Sequence, residues 1–154
     1  VMSIIRQESR FDQRGKSPAR AQGLMQILPS TAAFVMKNKN YRVKLRHDLL
    51  IPEKNILIGE KYINQLLKEP IISGNLIKLL AAYNGGPGNL NKWLKKKNFN
   101  EDPLLLIETI SSRETRNYIK EVLKNLYMYN NKYKNNDKNF EKLASGYWKI
   151  EKRK

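Results

Sequence analysis

The sequence contains no cysteine. Disulfides, thiolate metal sites and cysteine nucleophiles are therefore excluded. It has a single histidine, His47, which argues against a Ser-His-Asp relay or a poly-His metal site. Acidic residues are scarce: 14 Asp and Glu stand against 30 Lys and Arg, for a net charge of +16. An acid-poor chain of this kind suits an anionic partner, whether nucleic acid, lipid headgroups or an acidic polymer. No apolar run reaches the ~18 residues that a membrane-spanning helix needs. Alternating apolar and polar residues, the mark of a half-buried strand, do not persist over any useful length. The N-terminus lacks the basic leader, apolar stretch and small-residue cleavage site of a secretory signal. It opens abruptly in an apolar helical pattern, as expected of a fragment of a longer chain. Nothing in the residue pattern calls for a cofactor or a metal.

What is present suits a helical globule. The 154 residues have 40% apolar content and a mean hydropathy of −0.66. A domain of this length buries roughly 70% of its unfolded surface and needs no covalent staples. The first helix is expected over Val1–Ser9. A loop with Pro18 and two glycines follows over Gly15–Gly23, then a short apolar stretch over Leu24–Leu28. Ser30 or a neighbour opens the next helix. Pro52 suits the first turn of a longer one, with Ile56, Ile63, Leu66 and Leu67 on one face and Pro70 beyond its end. Gly59 inside that helix costs about 1 kcal/mol relative to Ala, so a close contact with a neighbouring helix is expected there. Asn75–Tyr83 is helical, and Asn84-Gly85-Gly86-Pro87-Gly88 breaks it. Ser111 and Glu114 read as a capping box, followed by a stripe of Ile119, Val122, Leu123, Leu126 and Tyr127. From Asn130 the chain is rich in Asn and Lys and is expected to be mobile, with Phe140, Leu143, Tyr147 and Trp148 docking a last segment. The fold class is all-α, in a single domain.

Three stretches carry polar groups suited to chemistry. Glu8 ends an apolar helix one turn after Ile4 and Ile5. A carboxyl at the rim of an apolar cleft has its charged form disfavoured and approaches the range of a general acid; by position alone it also reads as a solvated helix-end residue. Gly23-Leu24-Met25-Gln26 combines close backbone approach with an amide that both donates and accepts, or is simply a turn before a core helix. In Ala82-Tyr83-Asn84-Gly85-Gly86-Pro87-Gly88, a phenol and an amide precede a tight turn, which also reads as a helix C-cap with a left-handed glycine.

Taken together these blocks resemble one family. Glu8-Ser9-x-Phe11, Ser17-Pro18, Gly23-Leu24-Met25-Gln26 and Ala82-Tyr83-Asn84-x-Gly86-Pro87-Gly88 are similar to the catalytic domain of the soluble lytic murein transglycosylases, which has a goose-type-lysozyme-like fold. Pro52-x-x-Asn55-Ile56-x-x-Gly59-x-x-Tyr62 resembles the family's central helix and Glu114-Thr115-Arg116-x-Tyr118 its late motif. The resemblance runs from about residue 5 to about residue 129 and leaves 130–154 as a basic extension. It implies that Glu8 is the single catalytic acid and base. Ser17 and Gln26 match substrate-contacting positions, and Tyr83 matches a tyrosine that hydrogen-bonds the catalytic glutamate. Asn84 follows at the cleft wall, and Glu114 matches a glutamate near the acetamido-sugar subsite, a role that stands level with capping. For Trp93 and Phe11, core packing is expected ahead of stacking on sugars, and His47 is expected at the surface or at a helix cap. Four positions depart from the pattern: Arg20 stands where glycine is usual, Leu28 for Met, Phe11 for Trp and Gly85 for Ala. Arg20 places a charge and a side chain in the site loop.

The resemblance further implies cleavage of the β-1,4 bond between N-acetylmuramic acid and N-acetylglucosamine in peptidoglycan, with 1,6-anhydromuramoyl ends as products. Most glycosidases use two carboxylates; Asp12 lies near Glu8 but matches no catalytic position. The expected partner is the peptidoglycan strand, with no specific nucleic acid, acting as a monomer in the periplasm or cell envelope. Two other readings stay open: a lysozyme-like hydrolase of the same bond, and a non-catalytic basic module that binds glycan or nucleic acid through clusters such as Lys95-Lys96-Lys97.

Overall fold

The computed structural model describes residues 1–96 and 102–133. The segment expected around Phe140, Leu143, Tyr147 and Trp148 lies outside the described residues. Among the described residues the regular elements are helical: α1 (Met2–Ser9), α2 (Pro29–Val35), two 3-10 turns (Lys39–Arg42 and Arg46–Leu50), α3 (Pro52–Leu67), α4 (Leu76–Gly85), α5 (Pro87–Lys96), α6 (Pro103–Thr109) and α7 (Arg113–Lys132). Extended pairing among them is limited to two isolated bridges, Lys16 with Gln22 and Gln22 with Ile27. The all-α expectation holds. No helix among the described residues is long and apolar enough to cross a membrane.

The chain divides into two compact units, Val1–Gln65 and Leu66–Lys154. In the first, Ile4, Ile5, Met25, Ile27, Leu49 and Ile58 are buried. Each such side chain contributes about 1.5–3 kcal/mol when fully withdrawn from water. Gly59 is explained by one of them. A Cβ placed there would lie 2.2 Å from Met25 Sδ. The close neighbour is thus a side chain from a turn, where the sequence led us to expect a helix. α2 begins one residue earlier than Ser30 suggests, because Pro29 takes the first helical position behind Leu28 as N-cap. Proline suits that position, since its missing N–H has no helical partner to lose.

In the second unit α4 packs against α5, α6 and α7, with Ile77, Leu79, Leu80, Leu90, Leu106, Ile110, Ile119 and Val122 buried. Asn75 caps α4, accepting from the Lys78 N–H at 3.0 Å. The glycine-rich break after Asn84 is sharper than expected. α4 runs through Gly85, and Gly86 at φ 84° and ψ 147° turns the chain. This is not the left-handed helical cap read from the sequence, and Pro87 immediately starts α5. The capping box also shifts by one residue. Ser112 caps α7, its Oγ accepting from the Thr115 N–H at 3.1 Å, because Ser111 Oγ accepts from the Trp93 indole N–H at 2.9 Å. Glu114 therefore stands at the second helical position, outside a reciprocal box. α7 continues through Asn130 to Lys132, past the point where a mobile stretch was expected. Its stripe is led by Thr115, Tyr118, Ile119, Val122 and Asn125, with Tyr127 exposed.

Candidate active site

In the first unit Glu8 is half-buried in the last turn of α1. The helix stops at Arg10, whose φ of 53° is left-handed, and Phe11 follows at φ 69°. Phe11 is 42% exposed. It is not a core residue, contrary to expectation, and its ring stands in solvent three positions after the carboxyl. Asp12 serves the next turn, its carboxylate accepting from the Arg14 N–H at 2.9 Å.

The loop after α1 is closed by its own polar groups. The Gly23 N–H donates to Gly15 O at 2.9 Å, and the Ala21 N–H donates to Ser17 Oγ at 3.0 Å. Ser17 Oγ thus accepts within the loop and keeps its proton to donate elsewhere. Gln26 has both amide hydrogens engaged, by Gly15 O at 3.1 Å and Gly23 O at 2.9 Å. Its Oε1 is the group left for a ligand, so Gln26 offers an acceptor and not the donor-acceptor pair its residue type suggests. Arg20, the departure from glycine, sits at φ 67°. Its N–H still donates to Ser17 O at 2.9 Å. The loop therefore keeps its closure around a conformation that disfavours any side chain.

One residue that the sequence did not single out for the site fixes this loop. Asn55 on α3 is 0% exposed. Its Oδ1 accepts from the Met25 N–H at 2.7 Å, and its Nδ2 donates to Gln22 O and Leu49 O, each at 2.8 Å. Gly23 must be glycine beside it: its φ is +74°, and a Cβ would stand 2.2 Å from Leu49 O. The signal for Asn55 was its place in the Pro52-x-x-Asn55 block.

In the second unit Tyr83 and Asn84 are half-buried in the last turn of α4. The Thr115 hydroxyl, itself buried, donates to Asn84 Oδ1 at 2.7 Å. This bond ties the end of α4 to the start of α7 and brings Asn84 near the backbone neighbour of Glu114. Glu114 is exposed. Trp93 is 7% exposed, in the core as expected, with its ring over Gly85: a Cβ at Gly85 would lie 2.6 Å from the indole. The usual Ala at that position does not fit beneath this ring. The Arg116 guanidinium donates to Ile110 O and pins the α6–α7 turn. His47 is exposed in the second 3-10 turn, as expected. Glu8, Ser17 and Gln26 therefore belong to one unit, and Tyr83, Asn84 and Glu114 to the other.

The model of the family described as the Transglycosylase SLT domain matches residues 1–105. The soluble lytic murein transglycosylase of Salmonella typhimurium is 41% identical over 126 residues, covering 80% of this chain and 19% of that protein. Two solved structures are similar. The 70 kDa soluble lytic transglycosylase of Escherichia coli has a TM-score of 0.74 at 38% identity, over 84% of this chain and 21% of that one. An inactive Glu-to-Gln mutant of the lytic transglycosylase Slt of Pseudomonas aeruginosa has a TM-score of 0.74 at 34% identity, over 86% of this chain and 21% of that one. The chain spans about a fifth of the length of these proteins. By the family match across most of its length and by its shared helical, lysozyme-like fold, this chain belongs to the transglycosylase SLT domain family.

Proposed function

We propose that the chain is a lytic transglycosylase of peptidoglycan, in which Glu8 acts first as acid and then as base. The observation that carries this reading is the pairing, within one compact unit, of a half-buried helix-end carboxyl with the Gly15–Gln26 loop. Within that loop both Gln26 amide hydrogens are tied to Gly15 O and Gly23 O, which leaves Oε1 able to accept. The family and its named relatives support it, as does the Pseudomonas aeruginosa relative, described as inactive with a glutamate changed to glutamine.

Protonated Glu8 gives its proton to the glycosidic oxygen between N-acetylmuramic acid and N-acetylglucosamine, and the C1–O bond breaks. The 2-acetamido oxygen of the sugar and nearby dipoles stabilise the cationic C1. Glu8, now a carboxylate, takes the proton of the C6 hydroxyl as O6 bonds to C1. The product is a 1,6-anhydromuramoyl end, and the acid is restored. Because the substrate supplies its own nucleophile, one carboxylate is enough. Ser17 donates to the substrate and Gln26 accepts from it, and the Tyr83 hydroxyl is a further substrate-binding group. Asn84 and Glu114 flank the acetamido sugars, and the exposed Phe11 offers a face for a sugar ring. Peptidoglycan as substrate sets the place of action in the periplasm or cell envelope.

Mass spectrometry of products from murein sacculi tests the reaction. Anhydro ends are lighter by one water, about 18 Da, than hydrolysed ends, although both arise through general acid and base chemistry. Reducing ends alone would leave a hydrolase. Glu8→Gln is expected to lose at least about a hundredfold in rate, the low end of general-acid contributions. Unchanged turnover would remove Glu8 from the reaction, and binding without turnover would leave a glycan-binding module.

A further inference from the structure

Beside Ser17 the first unit carries an open groove of about 340 Å³, lined by Gln13, Arg14, Lys16 and Leu50. Lys16 immediately precedes Ser17 and is bridged to Gln22, so the groove and the site loop are built from the same backbone. We infer that this groove binds carboxylates carried by the muramic acid side of the glycan, either the lactyl carboxylate or those of a peptide stem. The inference rests on the peptidoglycan reading above.

Four observations support it. First, the two cations of the groove are uncompensated. Lys54, Lys120 and Lys124 pair with carboxylates, while Arg14 and Lys16 are exposed and pair with no carboxylate among the described residues. Second, the backbone beneath the groove is held by its own turn: Asp12 accepts from the Arg14 N–H at 2.9 Å, and Gly15 N–H closes the same turn on Asp12 O at 3.2 Å. The main chain of Arg14 is therefore fixed while its guanidinium faces solvent. Third, the lining has the composition that a carboxylate-bearing chain requires. A planar guanidinium fork matches a carboxylate with two parallel bonds. Lys16 adds a point charge, Gln13 an amide for a peptide group, and Leu50 an apolar wall for the carbon skeleton. Fourth, the segment that carries the groove has an excess of positive charge: between Val1 and Arg20 the cations are Arg6, Arg10, Arg14, Lys16 and Arg20, and the anions Glu8 and Asp12.

The groove thereby gives part of the +16 a place. Charge spread over a surface raises the encounter rate with any polyanion. Two cations in one groove next to Ser17 fix the register of the strand, because carboxylates occur only on the muramic acid units.

The test is cosedimentation with sacculi at fixed ionic strength, in two forms. One form keeps its peptide stems; the other is stripped by an amidase, which leaves free lactyl carboxylates. The Arg14→Gln/Lys16→Gln variant is compared with wild type, with the charge-retaining Arg14→Lys/Lys16→Arg variant, and with Lys37→Gln/Lys39→Gln, which removes the same charge outside the groove. The neutral groove variant is expected to bind about threefold to tenfold more weakly, the sum of two exposed charge contacts, and the charge-retaining variant to bind nearly as wild type. A loss confined to stem-bearing sacculi assigns the groove to stem carboxylates; one confined to stripped sacculi assigns it to the lactyl group. A loss on both that exceeds the Lys37/Lys39 control assigns it to both. A groove variant indistinguishable from that control on both forms overturns the inference. Turnover is measured in parallel. Binding that depends on the groove without any release of product would overturn the catalytic reading and leave the groove standing.

Discussion

The Thr115 hydroxyl donates to Asn84 Oδ1 at 2.7 Å, across 31 positions of sequence. This single bond decides which way the Asn84 amide faces. With Oδ1 taken by Thr115, the Nδ2 hydrogens are what Asn84 has left to donate.

Thr115→Val keeps the shape and removes the donor. It leaves Asn84 Oδ1 without its hydroxyl partner, at about 1–3 kcal/mol for an unsatisfied group, while Ser112 Oγ keeps the Thr115 N–H. The melting temperature is expected to fall and KM on murein to rise about fivefold or more through loss of Asn84 orientation. Thr115→Ser is expected to restore both. Equal kinetics for the Val and Ser variants would show that the amide orientation does not matter to substrate.

Asn55→Ala removes three buried hydrogen bonds, to Met25 N–H, Gln22 O and Leu49 O. A loss of about 3 kcal/mol in chemical unfolding is expected, from a buried network broken on one side. Hydrogen exchange at the Met25 amide should rise with it.

Arg20 occupies a left-handed conformation at φ 67°, which costs a residue with a Cβ about 1–2 kcal/mol. Glycine relieves that strain but loosens the unfolded chain by about 0.4–1 kcal/mol. Arg20→Gly is therefore expected to be stabilising by up to about 1 kcal/mol, and Arg20→Ala to give no such gain. Thermal melts of the two variants separate backbone strain from the loss of charge.

Gly85 presents the opposite case. Alanine in a helix gains about 1 kcal/mol over glycine, yet a Cβ here would meet the Trp93 ring at 2.6 Å. Overpacking of that kind costs about 1–3 kcal/mol, so Gly85→Ala is expected to destabilise. In a double-mutant cycle with Trp93→Leu, the two changes should be less damaging together than their sum.

Glu108 is paired with Lys120 at 2.9 Å. The Lys120 hydrogen bond and charge hold its carboxyl below the usual range. The folded value lies under the unfolded one, so the stabilisation is present above the unfolded value and fades as pH falls through the folded one. The pair is exposed, and the effect on stability is small. An NMR titration should place the Glu108 midpoint below that of a free glutamate, and Lys120→Gln should raise it and make it less sensitive to added salt, with the Arg116 charge still acting.

Much of the fold was legible because its signals are local. Pro52 at a helix start, the Leu76, Leu79, Leu80 and Tyr83 spacing of α4, and the Ile119 and Val122 stripe of α7 each depend on the helix period and on residue type. The misreadings arose where a distant partner decided the outcome. Ser111 and Ser112 are equally good caps, and the choice fell to Ser112 because the Trp93 indole takes Ser111. Phe11 is apolar enough for a core, but the left-handed backbone at Arg10 and Phe11 turns it out to solvent. α5 and α6 were not read from the sequence, although Leu90, Trp93 and Leu94 share one face of α5.

The residue types, their order and their spacing determined by themselves that the protein is helical, belongs to this family, and has Glu8, Ser17, Gln26, Tyr83, Asn84 and Glu114 as its candidate site. These are properties of local propensity and of a linear pattern. Only the tertiary structure decided what each amide presents. Gln26 became an acceptor because Gly15 and Gly23 take its hydrogens, and Asn84 a donor because Thr115 takes its oxygen. Asn55 emerged as the clamp of the site loop. A side chain carries its full set of donors and acceptors in the sequence; which of them remain for a ligand depends on the partners that folding supplies from far along the chain.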